Sequence, residues 1–221
     1  MAAYLSLSHP LGLADPRPPA IPAPGLAPLY TIGKDGASVH ILTVASHTGT
    51  HLDAPRHVIE AGLTIHDFSP EELIFTRPVL VNLKADDDEV VQPELLAPHE
   101  QALRQADLAL LRFGRGPTRR ADPERFSLHS PGLGVEAARW LRRRFPGLRA
   151  LGMDVPSLSC IAHLEQTMRA HNELLGGTAC RFLVIEDMDL EHDLGGLREV
   201  RVSPWLVTGM DSAPCGIVGV L

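Results

Sequence analysis

The sequence predicts an α/β fold built on a mixed β-sheet with flanking helices. Strand and helix patterns alternate from about residue 107 to residue 190, an order typical of parallel strands joined by helices. Runs of β-branched and apolar residues on both sides of that region predict further strands, which favours a mixed sheet over a purely parallel one. At 221 residues with 44% hydrophobic content, the chain has the size of a single domain.

Period-two alternation and short apolar runs predict the strands. The segment ASVHILTVAS is β-branched and alternating, and the later segments are short runs bounded by glycine, proline or charged residues. Two further strands, REVRVSPWLV and GIVGVL, are predicted in the final third of the chain. The predicted strands before them are 37–46, 77–83, 107–113, 148–154 and 181–190.

Helical periodicity predicts three helices between the strands. The segment PELLAPHEQALRQA is predicted as a short helix that Pro98 interrupts. The segment 135–145 is amphipathic, and 161–176 is predicted as a helix that ends at glycine. The apolar stripe of the second helix consists of Ala138, Leu141 and Phe145.

Seven prolines lie between residues 10 and 28. Such a stretch cannot form a helix or a central strand, because proline lacks the backbone donor. We therefore divide the chain into a proline-rich N-terminal arm, 1–36, and a domain, 37–221. Two roles remain open for the arm: it is a plain surface connection, or it covers a pocket of its own chain or of a partner.

Composition excludes several classes of function. The net charge of −7 gives no general attraction to phosphate backbones or anionic lipid. The three cysteines are far apart in sequence and form no C-x-x-C pair, which argues against a disulfide framework or a zinc ribbon. No apolar run has the length of a membrane span, and the first residues do not resemble a secretory signal. We expect a cytoplasmic, soluble protein that binds neither nucleic acid nor membranes.

Three of the eleven histidines lie within the segment SHTGTHLDAPRHVIEAG. Four of its side chains occupy odd positions, which share one face of an extended backbone: His47, His51, Asp53 and His57. Fully extended, the ten residues from His47 to His57 would span about 33 Å, too far for a single ion whose ligands lie at about 2.1 Å. The chain must therefore turn, and Gly49 and Pro55 are suited to that turn.

Two imidazoles and a carboxylate leave a divalent ion one open position for water, which is typical of catalytic rather than structural sites. In this interpretation two of the three histidines and Asp53 would hold Zn²⁺ or Mn²⁺, since both ions suit these ligands. Water on the ion, with a pKa of about 7, would be the nucleophile, and a further imidazole nearby would move the proton. From the pattern alone, three histidines in a metal-free polar loop remain an alternative.

A second pair of residues lies further along the chain. Glu186 ends an apolar strand, where a metal ion would offset the cost of burying its charge. His171 lies late in the preceding helix, and the reversal from helix to strand could bring the two together. The ordinary alternatives are a strand end that reaches solvent for Glu186, and a histidine favoured by the helix dipole for His171.

The segment HTGTHLDAPRH resembles the signature H-x-G-T-H-x-D-x-P-x-H of the metal-dependent cyclase-like hydrolases, a family that includes kynurenine formamidase, isatin hydrolase and several cyclases. The resemblance continues through LLRFG, PGLGVEAARWL, GMDVPSL, HNELLGG, VIEDMDL and DSAPCGIV. It implies a single domain of swivelling β/β/α type, a homodimer, and an N-terminal region that helps to form the substrate pocket.

The resemblance also implies roles for individual residues. His47, His51 and Asp53 would be metal ligands and His57 the proton donor and acceptor. In binuclear members the counterpart of Asp53 bridges two ions, and His171 and Glu186 would complete the second site. Gly49 and Thr50 are predicted to orient the ligands from behind. Formamidases carry a tryptophan in the N-terminal region; none precedes Trp140 here, so Tyr30 is the candidate substrate contact.

We therefore expect a metal-dependent amidohydrolase that acts on carbon–nitrogen bonds other than peptide bonds, in a formamide or a cyclic amide. One or two Zn²⁺ or Mn²⁺ ions are expected per chain. Alternatives with the same site are a lactone hydrolase or a polyketide-type cyclase. A binding protein that kept the metal ligands without catalysis is a further alternative.

Overall fold

A mixed sheet of nine strands organises the computed structural model, which describes residues 3–221. Two short two-stranded sheets lie outside it. The strands are β1 (Tyr4–Ser6), β2 (Gly25–Tyr30), β3 (Val39–Thr43), β4 (His51–Asp53), β5 (Ile74–Phe75), β6 (Pro78–Asn82), β7 (Val90–Val91), β8 (Leu108–Arg112), β9 (Gly132–Leu133), β10 (Ala150–Met153), β11 (Leu183–Glu186), β12 (Glu199–Pro204) and β13 (Ser212–Val220).

The helices are short except for two. The first half of the chain contributes α1 (Ile32–Asp35), α2 (Pro93–Leu96) and α3 (Glu100–Leu103). The second half contributes α4 (Gly116–Ala121), α5 (Pro123–His129), α6 (Val135–Arg144) and α7 (Leu164–Leu175). Five 3₁₀ turns complete the regular structure of the described residues: Pro55–His57, Ile65–Asp67, Pro70–Leu73, Ala97–His99 and Ile161–His163.

The strand order of the main sheet is β5-β12-β13-β4-β11-β10-β8-β6, and β1 pairs with β13. The four strands β6, β8, β10 and β11 are parallel to one another. The strands β4, β13, β12, β5 and β1 pair antiparallel. The prediction of an α/β fold with a mixed sheet is confirmed, and the parallel half is the region where helices connect successive strands.

Strand β13 joins the two halves of the sheet because it is nine residues long and changes partners along its length. Ser212–Pro214 pair with β4, whereas Cys215–Val220 pair with β12. Strand β4 therefore lies inside the sheet, with β13 on one side and β11 on the other.

The parallel strands are buried on both faces. In β8, Ala109 and Leu111 belong to one core cluster, while Leu108 and Leu110 belong to the other. Alternate residues of a strand point to opposite faces of its sheet, so each strand contributes to both cores. This is why these segments are continuous apolar runs in the sequence rather than alternating ones.

Helices α6 and α7 pack on the first of these cores and follow the predicted periodicity. In α6 the predicted apolar stripe is buried, and α7 buries a stripe at spacings of three and four residues. Each fully buried leucine contributes about 1.5–3 kcal/mol relative to an exposed one. The stripe of α7 comprises Thr167, Ala170, His171 and Leu174, so the helix directs one histidine into the interior.

The end of the proline-rich segment and the strand predicted after it form an exposed ribbon outside the main sheet, whereas β1, at the start of the predicted arm, pairs with β13. Strand β3 exists as predicted, but it pairs with β2, and ten of the eleven residues in the two strands are exposed. Pro28 is tolerated in β2 because a two-stranded ribbon has free edges. The division of the chain at residue 36 stays a prediction, since the ribbon joins both sides of it. No helix among the described residues is long and apolar enough to cross a membrane.

A surface ion pair links the turn Pro70–Leu73 to the start of β11. Arg181 donates to both carboxylate oxygens of Glu72 and to the carbonyl of Asp67, and it lies over the ring of Phe68. The hydrogen bonds from Arg181 outweigh burial and lower the pKa of Glu72 to about 2.

We expect Glu72→Gln to destabilise the protein by about 0.5–1 kcal/mol at pH 7. Because the folded pKa of Glu72 is depressed, its contribution is present above pH 4.5 and is lost as the pH falls towards 2. Urea unfolding of the wild type and the variant should therefore converge on acidification. Glu71→Gln on the same turn is the control, and an unchanged gap between wild type and Glu72→Gln at pH 3 would contradict the assignment.

Candidate metal centre

The candidate site is built on β4, in the middle of the main sheet. His51 and Asp53 lie two residues apart on this strand, so their side chains point to the same face. Both are buried, and Asp53 is completely shielded from solvent. Strand β4 supplies only three residues of the segment, so the remaining histidines are placed by turns.

Turns on both sides of β4 fold the segment back on itself, as the sequence predicts. Gly49 has a left-handed φ of 62°, which a residue with a Cβ rarely adopts. Pro55 begins the 3₁₀ turn that ends at His57. The rings of His47 and His57, ten residues apart in sequence, have centroids only 4.3 Å apart.

Three side chains of the segment converge on one point. The Nδ1 atom of His47 lies 3.1 Å from Oδ1 of Asp53, and Nε2 of His51 lies 3.6 Å from the same oxygen. One ligand atom from each of these residues falls within 4.8 Å of the others, which is compatible with a shared metal ion. The structure thus brings together His47, His51 and Asp53.

Glu186 and His171 complete the cluster from two other elements. Glu186 ends β11 and pairs in register with His51, and its Oε2 lies 3.1 Å from Nε2 of that histidine. His171 points inward from α7, with Nε2 at 3.3 Å from Oε1 of Glu186. Atoms of Asp53, His57 and His171 form another group of potential ligands within 4.8 Å. Strand pairing and helix burial therefore unite residues 15 and 135 positions apart.

Hydrogen bonds behind the rings fix which nitrogen faces the cluster. The Nδ1–H of His51 donates to the carbonyl of Gly49 at 2.8 Å, so Nε2 faces the carboxylates without a proton when the ring is neutral. His171 forms a hydrogen bond through Nδ1 with Oγ of Ser159 at 3.2 Å. The hydroxyl of Thr50 donates to the carbonyl of Asp187 and accepts from the N–H of His9. Gly49 thus contacts a ring of the cluster directly, whereas the Thr50 side chain bonds to Asp187 and His9, and the orienting role of Thr50 stays a prediction.

Several buried polar atoms of the cluster have no hydrogen-bond partner. They are Nε2 of His51 and both carboxylate oxygens of Asp53, which approach one another without hydrogen-bond geometry. Leaving such groups unpaired in the interior costs about 1–3 kcal/mol each, and more when they are charged. These are nitrogen and oxygen donors of the kinds that bind Zn²⁺ or Mn²⁺, so the residues fit a divalent ion.

The electrostatics of the cluster also require positive charge at its centre. Burial acts to raise the pKa of Asp53, but His51 and His47 hold it well below its ordinary value. Burial opposes protonation of His47, but Asp211 and Asp53 outweigh it and raise the pKa of this histidine to about 10. The pKa of His51 is raised in the same sense by Asp53 and Glu186, against burial. Without a metal ion the cluster therefore retains protons, which a bound ion would displace.

Asp211 belongs to the site although the sequence analysis did not identify it. Its Oδ2 accepts hydrogen bonds from Nε2–H of His47 at 3.0 Å and from Nδ1–H of His57 at 3.2 Å. These two bonds hold the pKa of Asp211 well below its usual value. Asp211 is 154 residues from His57, and only the pairing of β13 with β4 brings it close. The one sequence signal was its place at the start of the segment DSAPCGIV.

Tyr30 lies elsewhere, at the end of β2 on the exposed ribbon, with half of its surface accessible. Its role as a substrate contact stays a prediction.

Comparisons with known proteins identify relatives that match most or about half of the chain. The protein is 26% identical over 183 residues to a kynurenine formamidase of Bacillus cereus, covering 82% of this chain and 80% of that protein. It is 28% identical over 119 residues to an uncharacterised protein of Haemophilus influenzae, covering 54% of this chain and 84% of that one.

Two solved structures share the fold over the whole chain. One is isatin hydrolase A from Labrenzia aggregata, with a TM-score of 0.81 at 20% identity and 94% of that chain covered. The other is described as a predicted metal-dependent hydrolase from Bacillus stearothermophilus, with a TM-score of 0.77 at 19% identity and 98% of that chain covered.

The sequence model of the family described as Putative cyclase matches residues 5–159. This match covers well over half of the chain and includes the whole histidine segment, in agreement with the resemblance found in the sequence. The protein belongs to this cyclase family.

Proposed function

We propose that the protein is a metal-dependent hydrolase that cleaves a carbon–nitrogen bond, other than a peptide bond, in a formamide or a cyclic amide. The observation that carries the proposal is the buried set of unpartnered donor atoms on His51 and Asp53, next to the more accessible pair of His57 and Asp211. The names of the relatives, kynurenine formamidase and isatin hydrolase, support the choice of bond.

The donor atoms divide into two overlapping sets. His47, His51 and Asp53 would hold one divalent ion, and His171 and Glu186 would hold a second one together with Asp53. Zn²⁺ and Mn²⁺ both suit imidazole and carboxylate ligands. A bound divalent ion supplies Lewis acidity towards a carbonyl oxygen and makes water a nucleophile at neutral pH.

His57 has the geometry of a proton shuttle. Because its Nδ1–H donates to Asp211, the Nε2 atom of the neutral ring carries the free lone pair. That nitrogen takes a proton from the attacking water and gives it to the departing nitrogen. Asp211 holds the ring and its tautomer in place, and its negative charge stabilises the imidazolium that forms after proton uptake.

Accessibility indicates the side from which a substrate approaches. The side chains of His47, His57 and Asp211 are 19%, 22% and 31% exposed, respectively. Those of His51, Asp53, His171 and Glu186 are 4% exposed or less. The substrate therefore reaches the cluster past the pair of His57 and Asp211, while the opposite side excludes bulk water.

We further propose that the protein is a homodimer in the cytoplasm. The ribbon of β2 and β3 carries six exposed large apolar residues: Leu26, Leu29, Tyr30, Val39, Ile41 and Leu42. A two-stranded ribbon is marginally stable alone in water, and a second copy of the chain would cover it.

The three buried, unpaired cysteines support the proposed location, because unpaired cysteines are typical of a reducing compartment.

The proposed function predicts a defined substrate range. Purified protein should bind one or two divalent ions per chain by elemental analysis, and it should hydrolyse N-formylkynurenine, isatin or a cyclic imide when Zn²⁺ or Mn²⁺ is present. Removing the ion with a chelator should abolish turnover, and adding it back should restore turnover. Hydrolysis of lactones in preference to every amide in the panel would favour the lactonase alternative, and absence of metal would refute the proposal.

Replacing His57 by Ala should lower kcat by a factor on the order of 10² to 10⁴ while metal content is retained, because His57 belongs to neither of the two proposed donor sets. Asp211→Asn should have a smaller effect in the same direction, since His57 remains present but loses its orienting charge. His66→Ala, in the turn Ile65–Asp67, is the control and should leave kcat and metal content unchanged. Full activity of the His57 variant would disprove its role.

The dimer should depend on the ribbon. Analytical ultracentrifugation should give twice the 23.9 kDa mass of the chain for the wild type. Exchanging Leu26 and Ile41 for Ser should shift the protein towards the monomer, because both apolar side chains leave the interface. Exchanging Trp205 and Leu206 for Ser is the matched control and should leave the mass unchanged. Both residues are also exposed but lie outside the ribbon. A monomeric wild type would contradict the proposal.

A further inference from the structure

A buried ion pair lies directly behind the candidate metal centre without contributing a ligand to it. Arg119, on α4, donates from Nε and from Nη2 to the two carboxylate oxygens of Asp187, each at 2.8 Å. Both residues are buried, with 8% and 2% of their surfaces exposed. Such two-pronged contacts fix the relative orientation of both side chains.

Asp187 immediately follows Glu186 and has an uncommon backbone conformation. Its φ is 52°, in the left-handed region that non-glycine residues rarely occupy. Its N–H donates to the carbonyl of Val155 at 2.8 Å. A conformation of this kind persists only where the surroundings hold it, and the contact with Arg119 anchors the side chain. The backbone turn at Asp187 therefore sets the direction of the chain directly after Glu186, the last residue of β11.

Asp187 is also linked to His51, which lies on the other side of the candidate metal site. The carbonyl of Asp187 accepts the hydroxyl hydrogen bond of Thr50, and Thr50 directly precedes His51. Asp187 is therefore joined to Glu186 by the peptide bond and to His51 through Thr50. A shift of Asp187 would move donor atoms on both β11 and β4.

The N-terminal arm is attached to the same pair. Asp15 places Oδ2 at 3.7 Å from Nη2 of Arg119, and that oxygen also accepts the N–H of Gly12 at 2.7 Å. The N–H of His9 donates to Oγ1 of Thr50 at 3.0 Å. The segment 9–15 is thus joined to Arg119 through Asp15 and to Thr50 through His9.

Stability alone gives a poor account of this pair. Burying two charges carries a desolvation cost, and well-packed apolar side chains are often at least as stabilising. The adjacent residue, Arg120, has a comparable partner in Glu191, but that pair lies on the surface. A buried charged pair next to a strained turn and a donor residue has the features of a positioning device.

We propose that Arg119 and Asp187 are positioning residues that hold Glu186 and Thr50 against the metal cluster and anchor residues 9–15 to it. The inference rests on the proposed function, because it assumes a divalent ion among the side chains of the cluster. It adds to that function two residues that touch neither the ion nor the substrate.

The test compares Arg119→Met with the matched control Arg120→Met in the full chain. Metal-free protein is titrated calorimetrically with Zn²⁺ and with Mn²⁺, and hydrogen exchange of residues 9–15 is followed by mass spectrometry. Arg119→Met should weaken divalent-ion binding by about 10- to 100-fold and speed exchange in the arm. Arg120→Met should change neither quantity.

Two conservative variants keep the test decisive if Arg119→Met does not fold. Asp187→Asn keeps a side chain that tolerates the left-handed backbone but removes the charge, and Arg119→Lys keeps the charge but loses the two-pronged contact. Both should weaken ion binding in the same direction. A double variant, Arg119→Gln with Asp187→Asn, should recover part of the affinity for the divalent ion, because hydrogen bonding between two neutral side chains can replace the ion pair.

The outcomes separate this inference from the proposed function. If the wild type binds ions and the variants only melt at lower temperature, with binding and exchange unchanged, the pair is structural and the positioning role is overturned. If the wild type binds no divalent ion, the proposed function fails and this inference fails with it. Weaker ion binding with faster exchange in the arm supports the positioning role.

Discussion

The pairing of β4 with β11 on one side and β13 on the other is the constraint on which the rest of the site depends. It sets Glu186 opposite His51 and places the start of β13, with Asp211, beside Asp53. Strands that pair antiparallel in a fixed register keep such neighbours within a few ångströms. A shift of one residue would turn His51 and Asp53 to the other face of the sheet, so the core packing of the strands also protects the site.

The cluster gathers more negative charge and unpaired donor atoms than a stable interior tolerates by itself. Asp53 and Glu186 are both buried, and the neutral forms of His47 and His51 direct lone pairs at carboxylate oxygens. The cluster therefore needs positive charge, supplied by protons in the free protein or by a metal ion. The raised pKa values of the two histidines express this requirement. An interior built in this way costs stability unless protons or a cation compensate its charge.

The fold arranges the site as a buried and an accessible half. His171 and Glu186 are held by a helix stripe and a strand end, so their positions follow from packing of the core. His57 ends the turn Pro55–His57 and Asp211 directly precedes β13, and solvent reaches both side chains. Rigidly held donor atoms on one side and accessible polar groups on the other suit the proposed hydrolysis of a small molecule.

The local sequence determined much of this protein. Periodicity predicted strands β8, β10 and β11 and helices α6 and α7, because apolar spacing reflects which face a segment buries. The glycine and proline in the histidine segment predicted that it must turn, since left-handed φ and 3₁₀ geometry are local properties of those residues. The strand at residues 37–46 was predicted as well, although its pattern could not tell a ribbon from the main sheet.

Tertiary structure alone decided which distant residues meet. Asp211 comes to His57 across 154 positions, and Arg119 comes to Asp187 across 68, because strand order and helix packing are set by the whole core. Strands β2 and β3 are likewise exposed because they pair with each other and not with the main sheet. The donor types and the turns between them are therefore local properties of the sequence, while the geometry of the cluster depends on long-range pairing, which no local pattern encodes.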